Sequence, residues 1–571
     1  MKIYTYDCIV IGTGAAGYNA AIRLTQFGVN AAIVTEGTHC GTSRNTGSDK
    51  QTYYKLGLSG DTPDSVYKMA QNLFDGGCVD GDNALCEAAL SARCFLNLCE
   101  LGVPFPTNRY GEFVGYKTDH DPFERATSAG PLTSKFMTEA LQKKAESLSI
   151  KVFDGYNAVK LLKANDRICG LLCQKGKELA AFRCRDIIMA TGGPAGIYAD
   201  SVYPACHHGA TGLAIDAGAK MQNLSFWQYG LGSVSPRWNV SGTYMQVLPR
   251  FVSVDKDGNE YDFLWDYFPD KYHGLSLVFL KGYQWPFDPK KAESGSSLID
   301  MLVYSECVEK GRRVFLDFTK NPCDIDFSKL SEEAYTYLNR AGATFGTPIE
   351  RLQKMNAPAI ALYKSKGVDL ASEYLEIALC AQHNNGGIAV DLWWQTSVKG
   401  LFAVGECAGT HGIARPGGSA LNAGQVGSLR AAQYISAHPG TLVGEETFCE
   451  IASRIAIKPE KDAKSHIKEA QRRMSDHAAA VRDPQKIKEM LAVTLSELQE
   501  TTDPEVKDVL LTQGAVLTAM SQPNTDPKKV QEVTWTQNGF EITVRPVRPI
   551  PNDDSFFENV WRGYRENQNI Y

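Results

Sequence analysis

Residues 6–24 read YDCIVIGTGAAGYNAAIRL, and this stretch decides the fold. Glycines at positions 12, 14 and 17 follow the apolar run Cys8–Ile11 and open an alanine-rich segment of helical character. In this spacing Gly12 permits a tight turn, Gly14 lets a pyrophosphate approach the backbone, and Gly17 lets the helix pack closely on the strand. The helix N-terminus then stabilises the phosphate charge. The stretch therefore predicts a strand, a helix and a dinucleotide site.

Other apolar runs end in small or acidic residues in the same way. Residues 30–36 (NAAIVTE) end in Glu36, which is suited to bind the hydroxyl pair of a ribose. Residues 186–198 (DIIMATGGPAGIY) and 400–405 (GLFAVG) each carry a short run into glycine, and the second run is followed by Glu406. Ligands of an open parallel sheet lie at the carboxyl ends of its strands. We therefore expect these distant segments to meet at one dinucleotide.

The bulk composition narrows the class of partner. The chain has 571 residues, a net charge of −6, 43% apolar and 22% charged residues, which predicts a globular protein of three to four domains. Nothing in this balance favours nucleic acid or an anionic membrane as a partner, and no apolar run reaches the ~18 residues of a membrane span. The first residues lead straight into a strand, without the layout of a signal peptide.

The cysteines point to a reducing compartment. Fifteen cysteines are scattered without paired spacing, so we expect free thiols in a cytoplasmic protein. They form no cluster of the iron–sulfur type, and we predict no metal site.

Two further segments complete a set of motifs, namely residues 383–391 (HNNGGIAVD) and 411–432 (HGIARPGGSALNAGQVGSLRAA). The set resembles the flavoprotein subunit of succinate dehydrogenase and fumarate reductase, together with L-aspartate oxidase and soluble fumarate reductases. The resemblance covers nearly the whole chain and implies FAD, with an NAD dehydrogenase as the alternative. Because only one dinucleotide fingerprint is present, electrons must come from, or go to, another protein, a free flavin or a second substrate.

The resemblance implies the following FAD-binding residues: Gly12, Gly14, Ala15, Ala16, Gly17, Glu36, Gly37, Thr42, Ser43, Asn45, Thr46, Gly47, Ala158, Thr191, Gly192, Gly193, Glu406, Ser419, Ala420 and Leu421.

The predicted fold class is α/β. It consists of a Rossmann-like FAD-binding domain with an inserted α+β capping domain and a C-terminal helical bundle. We expect these boundaries: FAD-binding domain in two parts, 1–235 and 371–440, capping domain 236–370, helical domain 441–530, and a tail 531–571 with short strands turned at Asn538-Gly539.

Departures from the family pattern bear on the cofactor. Arg44 stands where the respiratory enzymes have the His of a Ser-His-Thr sequence that bonds to the flavin, so FAD is predicted to be non-covalent. Lys50 and Gln51 replace a Gly-Gly pair that lies under the flavin in the family. Lys50 would either stabilise an anionic flavin or substrate, or be an ordinary surface lysine.

Other departures bear on the substrate. Gly230 takes the place of the His in the family's Gln-Phe-His-Pro turn, and Ile299 takes the place of its proton-donating Arg. His383 and Arg415 match the active-site His and the carboxylate-binding Arg that remain. The alternatives are a buried His at a strand end and an Arg in a structural ion pair.

The cap is unusually aromatic, and we expect part of it to be core and part to line a pocket for a flat or apolar substrate. Such a pocket would need Tyr or Lys rather than Arg as proton donor. The aromatic residues are Trp265, Tyr267, Phe268, Tyr272, Phe279, Tyr283, Trp285 and Phe287, near Trp238 and Tyr244. The candidate catalytic residues are His383, Arg415, Lys50, Tyr244 and Arg250.

The favoured function is an FAD-dependent oxidoreductase that moves a hydride between flavin N5 and a carbon. Reduction of an activated C=C bond in a small molecule other than fumarate is the favoured direction. An amine or amino-acid oxidase similar to L-aspartate oxidase is one alternative, and an electron-transfer flavoprotein subunit of a larger complex is another. The electron donor or acceptor would be a protein or free reduced flavin, and the sequence leaves the oligomeric state open.

Overall fold

Parallel and antiparallel sheets and the helices between them make up the structure, a computed structural model that describes residues 1–60, 62–118 and 120–552. The strands are β1 Lys2–Thr5, β2 Cys8–Ile11, β3 Ala31–Thr35, β4 Thr52–Tyr54, β5 Ala126–Ser128, β6 Lys151–Asp154, β7 Asn157–Ala164, β8 Arg167–Lys175, β9 Glu178–Arg183, β10 Asp186–Met189, β11 Met221–Gln222, β12 Trp227–Ser233, β13 Trp238–Asn239, β14 Arg250–Val254, β15 Glu260–Tyr261, β16 Arg313–Asp317, β17 Leu375–Asn384, β18 Gly387–Ile388, β19 Leu401–Ala403, β20 Lys529–Thr536 and β21 Gly539–Pro546.

The α-helices are α1 Ala15–Gln26, α2 Thr42–Asn45, α3 Val66–Phe74, α4 Gly81–Glu100, α5 Thr133–Ser147, α6 Thr211–Asp216, α7 Thr243–Gln246, α8 Leu264–Tyr267, α9 Lys271–Leu280, α10 Ser297–Tyr304, α11 Glu332–Arg340, α12 Pro348–Ser365, α13 Ser419–Ala437, α14 Glu445–Ser453, α15 Ala463–His477, α16 Pro484–Glu500 and α17 Pro504–Ser521. Among the helices of the described ranges, none combines the length and the apolar character that crossing a bilayer requires.

The central sheet has the strand order β19-β10-β2-β3-β6, and all of its pairs are parallel. Strands β2, β3, β10 and β19 are buried along their whole length, as continuous apolar runs in a parallel sheet require. The carboxyl ends of these strands therefore lie at one edge of the sheet. This confirms the α/β fold class and the expected meeting of distant segments.

Side-chain hydrogen bonds fix the return of the chain to this sheet. Asn19 on α1 donates to the Gln425 carbonyl on α13 at 3.1 Å, and the Gln425 amide donates back to the Ala15 carbonyl at 3.2 Å. The Ser428 hydroxyl adds a bond to the Ala16 carbonyl at 2.8 Å. Because α1 begins at the first glycine motif, these bonds hold residues 419–428 beside it.

Two other sheets flank the central one. Strands β1, β9, β8 and β7 form a four-stranded sheet, and β13-β12-β17-β16-β14-β15 form the six-stranded sheet of the cap. Strands β12 and β17 lie outside the range 236–370 that we predict for the cap. The cap sheet is therefore continuous with both chain segments that enter and leave it.

The C-terminal part follows the sequence pattern closely. Helices α15, α16 and α17 cover the region of helical periodicity. Strands β20 and β21 form a hairpin turned at Asn538-Gly539, and β20 also pairs with β11 of the FAD-binding part. The tail of 531–571 is thus a sheet component up to Pro546, while its residues 553–571 lie outside the described ranges.

Candidate active site

A cleft opens at the carboxyl ends of β2, β3, β10 and β19. Most of the predicted cofactor residues line it, namely Gly12, Gly14, Ala15, Ala16, Glu36, Gly37, Thr42, Ser43, Ala158, Thr191, Gly192, Glu406, Ala420 and Leu421. The lining comes from segments spread over more than four hundred positions of the chain, as expected for a ligand held across a sheet edge.

The glycines of the first motif have separate steric reasons. Gly12 has φ +110°, and a Cβ there would lie 2.5 Å from the Ala190 carbonyl oxygen. A Cβ at Gly17 would lie 2.1 Å from the Gly12 carbonyl oxygen, so this glycine permits helix–strand packing. At Gly14 a Cβ meets only the Ser43 hydroxyl, at 3.2 Å, so this position faces the cleft. The cleft therefore fits a pyrophosphate at the N-terminus of α1.

The adenosine end of the cleft is polar. Glu36 follows β3, and its carboxylate lies 2.8 Å from Nδ1 of His208, whose pKa it raises. His207 binds the Thr42 hydroxyl through Nδ1 and the Gly193 carbonyl through Nε2, both at 3.1 Å, and burial lowers its pKa. Glu36 is thus placed where a ribose would need an acceptor, with His208 as its present partner.

Six predicted cofactor residues lie beside the cleft without lining it. Gly17 packs on Gly12, and Gly193 packs on Glu406 and Tyr203. Asn45 donates to the carbonyls of His39 and Gly41, Thr46 donates to the Val202 carbonyl, Gly47 packs against Trp238, and the Ser419 hydroxyl is buried without a hydrogen-bond partner among the described residues. Gly17, Asn45, Thr46 and Gly47 therefore shape the walls, whereas sequence reasoning expected direct contact.

Other lining residues were not predicted. Some are neighbours of the motifs, such as Thr13, Gly405 and Gln425, and extending each motif by one turn would have found them. Others come from segments without a motif: Cys40, Gln51, Ser134, Tyr156, Cys206, His207, His208, Gly209 and Ala210. Only the fold brings this second group to the cleft.

Arg44 and Lys50 differ in how they are held. The Arg44 guanidinium donates to the Gln142 side chain on α5. Lys50 is exposed, next to the buried Asp49, which accepts hydrogen bonds from the backbone amide and the hydroxyl of Thr243 in the cap. Burial raises the pKa of Asp49. The exposure of Lys50 favours the surface-lysine alternative.

His383 lies at the end of β17, opposite Gln228 of β12. Its side chain is only 6% exposed, and Nδ1 lies 2.9 Å from the Asn385 side-chain oxygen. Burial, together with the charges of Arg415 and His411, lowers the pKa of His383 well below its usual range. The imidazole is therefore neutral, with its proton on Nδ1, and the buried Nε2 is an acceptor without a hydrogen-bond partner in the described residues.

Glu406 connects the strand end of β19 to His383. Its carboxylate accepts hydrogen bonds from the Tyr203 hydroxyl and, at 3.2 Å, from the Asn384 amide, and it lies 3.9 Å from Nε2 of His383. Burial raises the pKa of Glu406 to about 7, although Arg415 opposes the shift. Glu406 and Tyr203 thus hold a proton that is transferable near neutral pH.

Arg415 is a cation held by an amide. Nη2 donates to the Gln228 side-chain oxygen at 2.8 Å, and the buried Nε has no hydrogen-bond partner in the part of the chain that the structure describes. Burial lowers the pKa of Arg415 to about 10, so the group stays charged at neutral pH. Over the described ranges of the chain, no carboxylate lies within ion-pair distance of it. The structural ion pair that sequence reasoning left open is therefore not formed.

Tyr244 and Arg250 are not brought to this cluster. Tyr244 is fully buried in the cap core, packs edge-on against Tyr363 and donates to the Ala359 carbonyl at 3.2 Å. Arg250 pairs with Asp262 at 2.6 Å on the cap sheet. These side chains are used in packing and ion pairing within the cap, and their catalytic role stays a prediction.

Most cap aromatics are also core. Trp238, Phe268 and Phe279 are buried in the cap cluster, and Trp265, Tyr272 and Tyr283 pack against it. Ile299, at the position of the family's proton-donating Arg, is buried in the same cluster, and its hydrocarbon side chain cannot donate a proton. Within the described residues, no group of three or more His, Cys, Asp or Glu side chains is placed to bind a metal ion.

Comparison with known proteins agrees with this geometry. The family described as FAD binding domain matches residues 7–421. L-aspartate oxidase of Mesorhizobium japonicum (strain LMG 29417 / CECT 9101 / MAFF 303099) is 25% identical over 470 residues, 79% of this chain and 78% of that protein. A fumarate reductase (CoM/CoB) subunit of Methanothermobacter marburgensis is 25% identical over 448 residues, 75% of this chain and 72% of that protein.

Solved structures share the fold across nearly the whole chain. Mycobacterium smegmatis Sdh1 in complex with UQ1 aligns with a TM-score of 0.72 at 19% identity and covers 99% of this chain and 98% of its own. A quinol-fumarate reductase with menaquinol molecules aligns with a TM-score of 0.72 at 18% identity and covers 96% of this chain and 99% of its own. The expected resemblance is thereby confirmed, at low identity.

Proposed function

This chain belongs to the FAD binding domain family and is an FAD-dependent oxidoreductase, and we propose that it reduces an activated C=C bond in a small molecule other than fumarate. The residues that line the cleft from Gly12 to Glu36 would hold the adenosine and pyrophosphate, and Glu406 to Leu421 would hold the rest. FAD, once reduced by two electrons from a separate donor, would supply the hydride that such a reduction needs.

The observation that carries this proposal is the charge state of the cluster around Arg415. A cation that is largely withdrawn from water and, among the described residues, has no carboxylate within ion-pair distance is costly, and an anionic or carbonyl ligand would compensate it. A guanidinium binds a carboxylate or carbonyl through parallel hydrogen bonds and draws electron density from a conjugated double bond. The side-chain NH2 of Gln228, whose oxygen already accepts a hydrogen bond from Arg415, would donate to that same group.

Reduction of a C=C bond adds a hydride to one carbon and a proton to the other, and the site offers a candidate donor for that proton. Tyr203 and Glu406 hold a transferable proton beside His383, and the pKa of Glu406 of about 7 suits general acid work near neutral pH. His383 is neutral with its proton on Nδ1, so its Nε2 would serve as a hydrogen-bond acceptor. The cap-derived arginine of the family is absent, so this pair would take its role.

Fumarate does not suit this cluster. Its second carboxylate would need another cation or donor, and the two positions that supply them in the family hold Gly230 and Ile299. We therefore expect the substrate that accepts the hydride to have one acidic or carbonyl end.

Oxidation of an amine or amino acid is the second candidate. It rests on the neutral imidazole of His383, whose Nε2 would accept a hydrogen bond from the amino group of a substrate. An electron-transfer subunit is a third outcome of the experiment below, and its redox partner would be a protein.

FAD is proposed to be non-covalent, because Arg44 stands at the linking position and bonds to Gln142. All fifteen cysteines are free, which supports the expectation of a cytoplasmic location.

The test uses the purified holoenzyme under anaerobic conditions. Flavin reduced with stoichiometric dithionite is mixed with fumarate, crotonate, cinnamate or a cyclic enone, and the return of oxidised-flavin absorbance and the mass of the product are followed. We expect reoxidation by an acceptor other than fumarate, with a product two hydrogens heavier. Bleaching of the oxidised enzyme by amines or amino acids, with no reaction toward any acceptor, would replace the proposal with the oxidase. Reoxidation only by protein electron acceptors would replace it with the electron-transfer subunit.

A further inference from the structure

The indole of Trp285 lies directly on the backbone of Gly230. A Cβ built at Gly230 would lie 2.6 Å from Cε3 of Trp285, and 2.8 Å from both Cζ3 and the Trp285 carbonyl oxygen. No side chain fits between them. Position 230, where the family has a His, must therefore be a glycine in this chain, because the Trp285 indole occupies the space of any side chain there.

Several contacts fix the segment that carries this indole. The buried ammonium of Lys281 donates to the carbonyls of Gln284 and Trp285 at 3.0 and 2.7 Å, and it pairs with Asp300 at 2.7 Å. The amide of Phe287 donates to the Tyr229 carbonyl of β12 at 2.7 Å. The chain is thus held on both sides of Trp285, and the indole is a rigid surface.

This surface adjoins the polar cluster. The pairing of β12 with β17 shifts register between Gln228 and Tyr229, where β17 carries the unpaired extra residue Gln382. Because the extra residue is on β17, β12 keeps its alternation, and Gln228 and Gly230, two residues apart, share a face of the sheet and lie about 7 Å apart. Gln228 binds Arg415 and is paired across the sheet with His383. Trp285 is half-buried, unlike the tryptophan Trp238 of the cap core. The face therefore presents a cationic, hydrogen-bonding end and an aromatic end side by side.

We propose that Trp285 is the specificity-determining wall of the substrate site, and that the substrate is an α,β-unsaturated acid or ketone with a ring or other flat apolar group at its β-carbon. The inference rests on the proposed function, because it assumes that the acidic or carbonyl end binds at Arg415. The ring would stack on the indole, whose face attracts flat apolar groups. A second carboxylate at the β-carbon, as in fumarate, would lie against the indole without a donor, and its desolvation would oppose binding.

Steady-state assays with reduced methyl viologen as donor test the inference. Cinnamate and crotonate share the enoate and differ in the β-substituent, so they report on the wall alone. In Trp285→Ala we expect KM for cinnamate to rise about 10-fold or more, while KM for crotonate stays within about 2-fold. Trp285→Phe keeps a ring and should retain cinnamate turnover.

Trp265→Ala is the matched control, since it removes an indole from the same cap at a position that packs on the cap core and on Lys271. FAD content and melting temperature confirm that each variant is folded. Equal changes for the two enoates in Trp285→Ala, or no change for either, would overturn the inference and leave the proposed function intact. So would a wild-type enzyme that reduces crotonate but not cinnamate. A folded wild-type holoenzyme that reduces neither enoate nor a cyclic enone contradicts the proposed function and the inference together.

Discussion

At the scale of single residues, Arg415 decides what the site can bind. Its guanidinium is charged, buried at Nε and held by the Gln228 amide. Arg and Lys differ here, because only the planar guanidinium offers two parallel donors to a carboxylate. A substitution that keeps the positive charge and removes the pair of parallel donors therefore measures how much those two hydrogen bonds contribute to turnover.

Arg415→Lys is expected to retain FAD and to lose about 10- to 100-fold in turnover per bound flavin, the effect of a lost charge-assisted hydrogen bond of about 1.5–3 kcal/mol. Flavin content from absorbance and turnover with the best acceptor are measured on the same sample. Arg454→Lys, at the exposed residue that follows α14, serves as control. Unchanged turnover per flavin in Arg415→Lys would remove this residue from the mechanism.

Glycine-rich turns matter at the scale of secondary-structure elements, and Gly14 differs from its neighbours. Gly12 and Gly17 are needed for the fold, whereas a side chain at Gly14 would project into the cleft. Gly14→Val is therefore expected to fold and to lose bound FAD. Thermal melting and flavin content report the two effects separately, with Gly444→Ala, where an added Cβ meets nothing within 4 Å, as control. Full flavin occupancy in Gly14→Val would contradict the cofactor placement.

The sequence predicts an element well when the residues that determine it lie within the element itself. The runs at Cys8–Ile11 and Asp186–Met189 and the turn at Asn538-Gly539 were predicted correctly, because glycine spacing and apolar continuity are encoded within each segment. The positions of the Tyr244 and Trp285 side chains could not be predicted in this way, since they depend on how the cap packs. Gly230 was recognised as a departure, yet its cause lies 55 positions away, and no local pattern connects the two residues.

Helix α4 buries a carboxyl group whose titration should be visible in stability. Glu87 is 3% exposed, and burial raises its pKa to about 8, although the Thr410 side chain opposes the shift. Because the folded-state pKa lies above the ordinary value, the stabilising contribution is fully present below about pH 4.5 and is lost as the pH rises toward 8.

Glu87→Gln mimics the protonated form at every pH. The melting temperature of the variant minus that of the wild type is expected to grow by about 3 °C between pH 5 and pH 8. Scanning calorimetry at both pH values, with FAD in excess, measures the difference and cancels the other titrating groups. A difference that stays constant with pH would show that Glu87 is not protonated in the folded protein.

At the scale of the whole molecule, the chain leaves the FAD-binding part after β12 and returns through β17, and both strands belong to the cap sheet. The polar cluster of His383 and Gln228 is thus built on the sheet that joins the cap to the FAD-binding part. The domain boundaries predicted from sequence stay a prediction, and they cut through this sheet because strand exchange between domains has no compositional signal.

Non-covalent binding of FAD is expected for the intact molecule, because Arg44 stands at the linking position and bonds to Gln142. Acid precipitation of the holoenzyme is expected to leave a colourless pellet and to release FAD into the supernatant, where its absorbance is measured. Flavin that remains with the washed, denatured chain would show a covalent bond at some other residue.

The measurement that tests the central claim most directly is the rate of reoxidation of the reduced, enzyme-bound flavin by cinnamate, relative to fumarate, in one anaerobic preparation. In the proposal, Arg415 binds the one acidic or carbonyl end of the substrate. Trp285 lies on Gly230, where the family has the His that would bind a second carboxylate. The result we predict is a rate constant for cinnamate at least about 100-fold above that for fumarate, the loss expected when a positioned proton donor and an anion partner are missing for fumarate. A rate constant for fumarate equal to or above that for cinnamate would contradict the account.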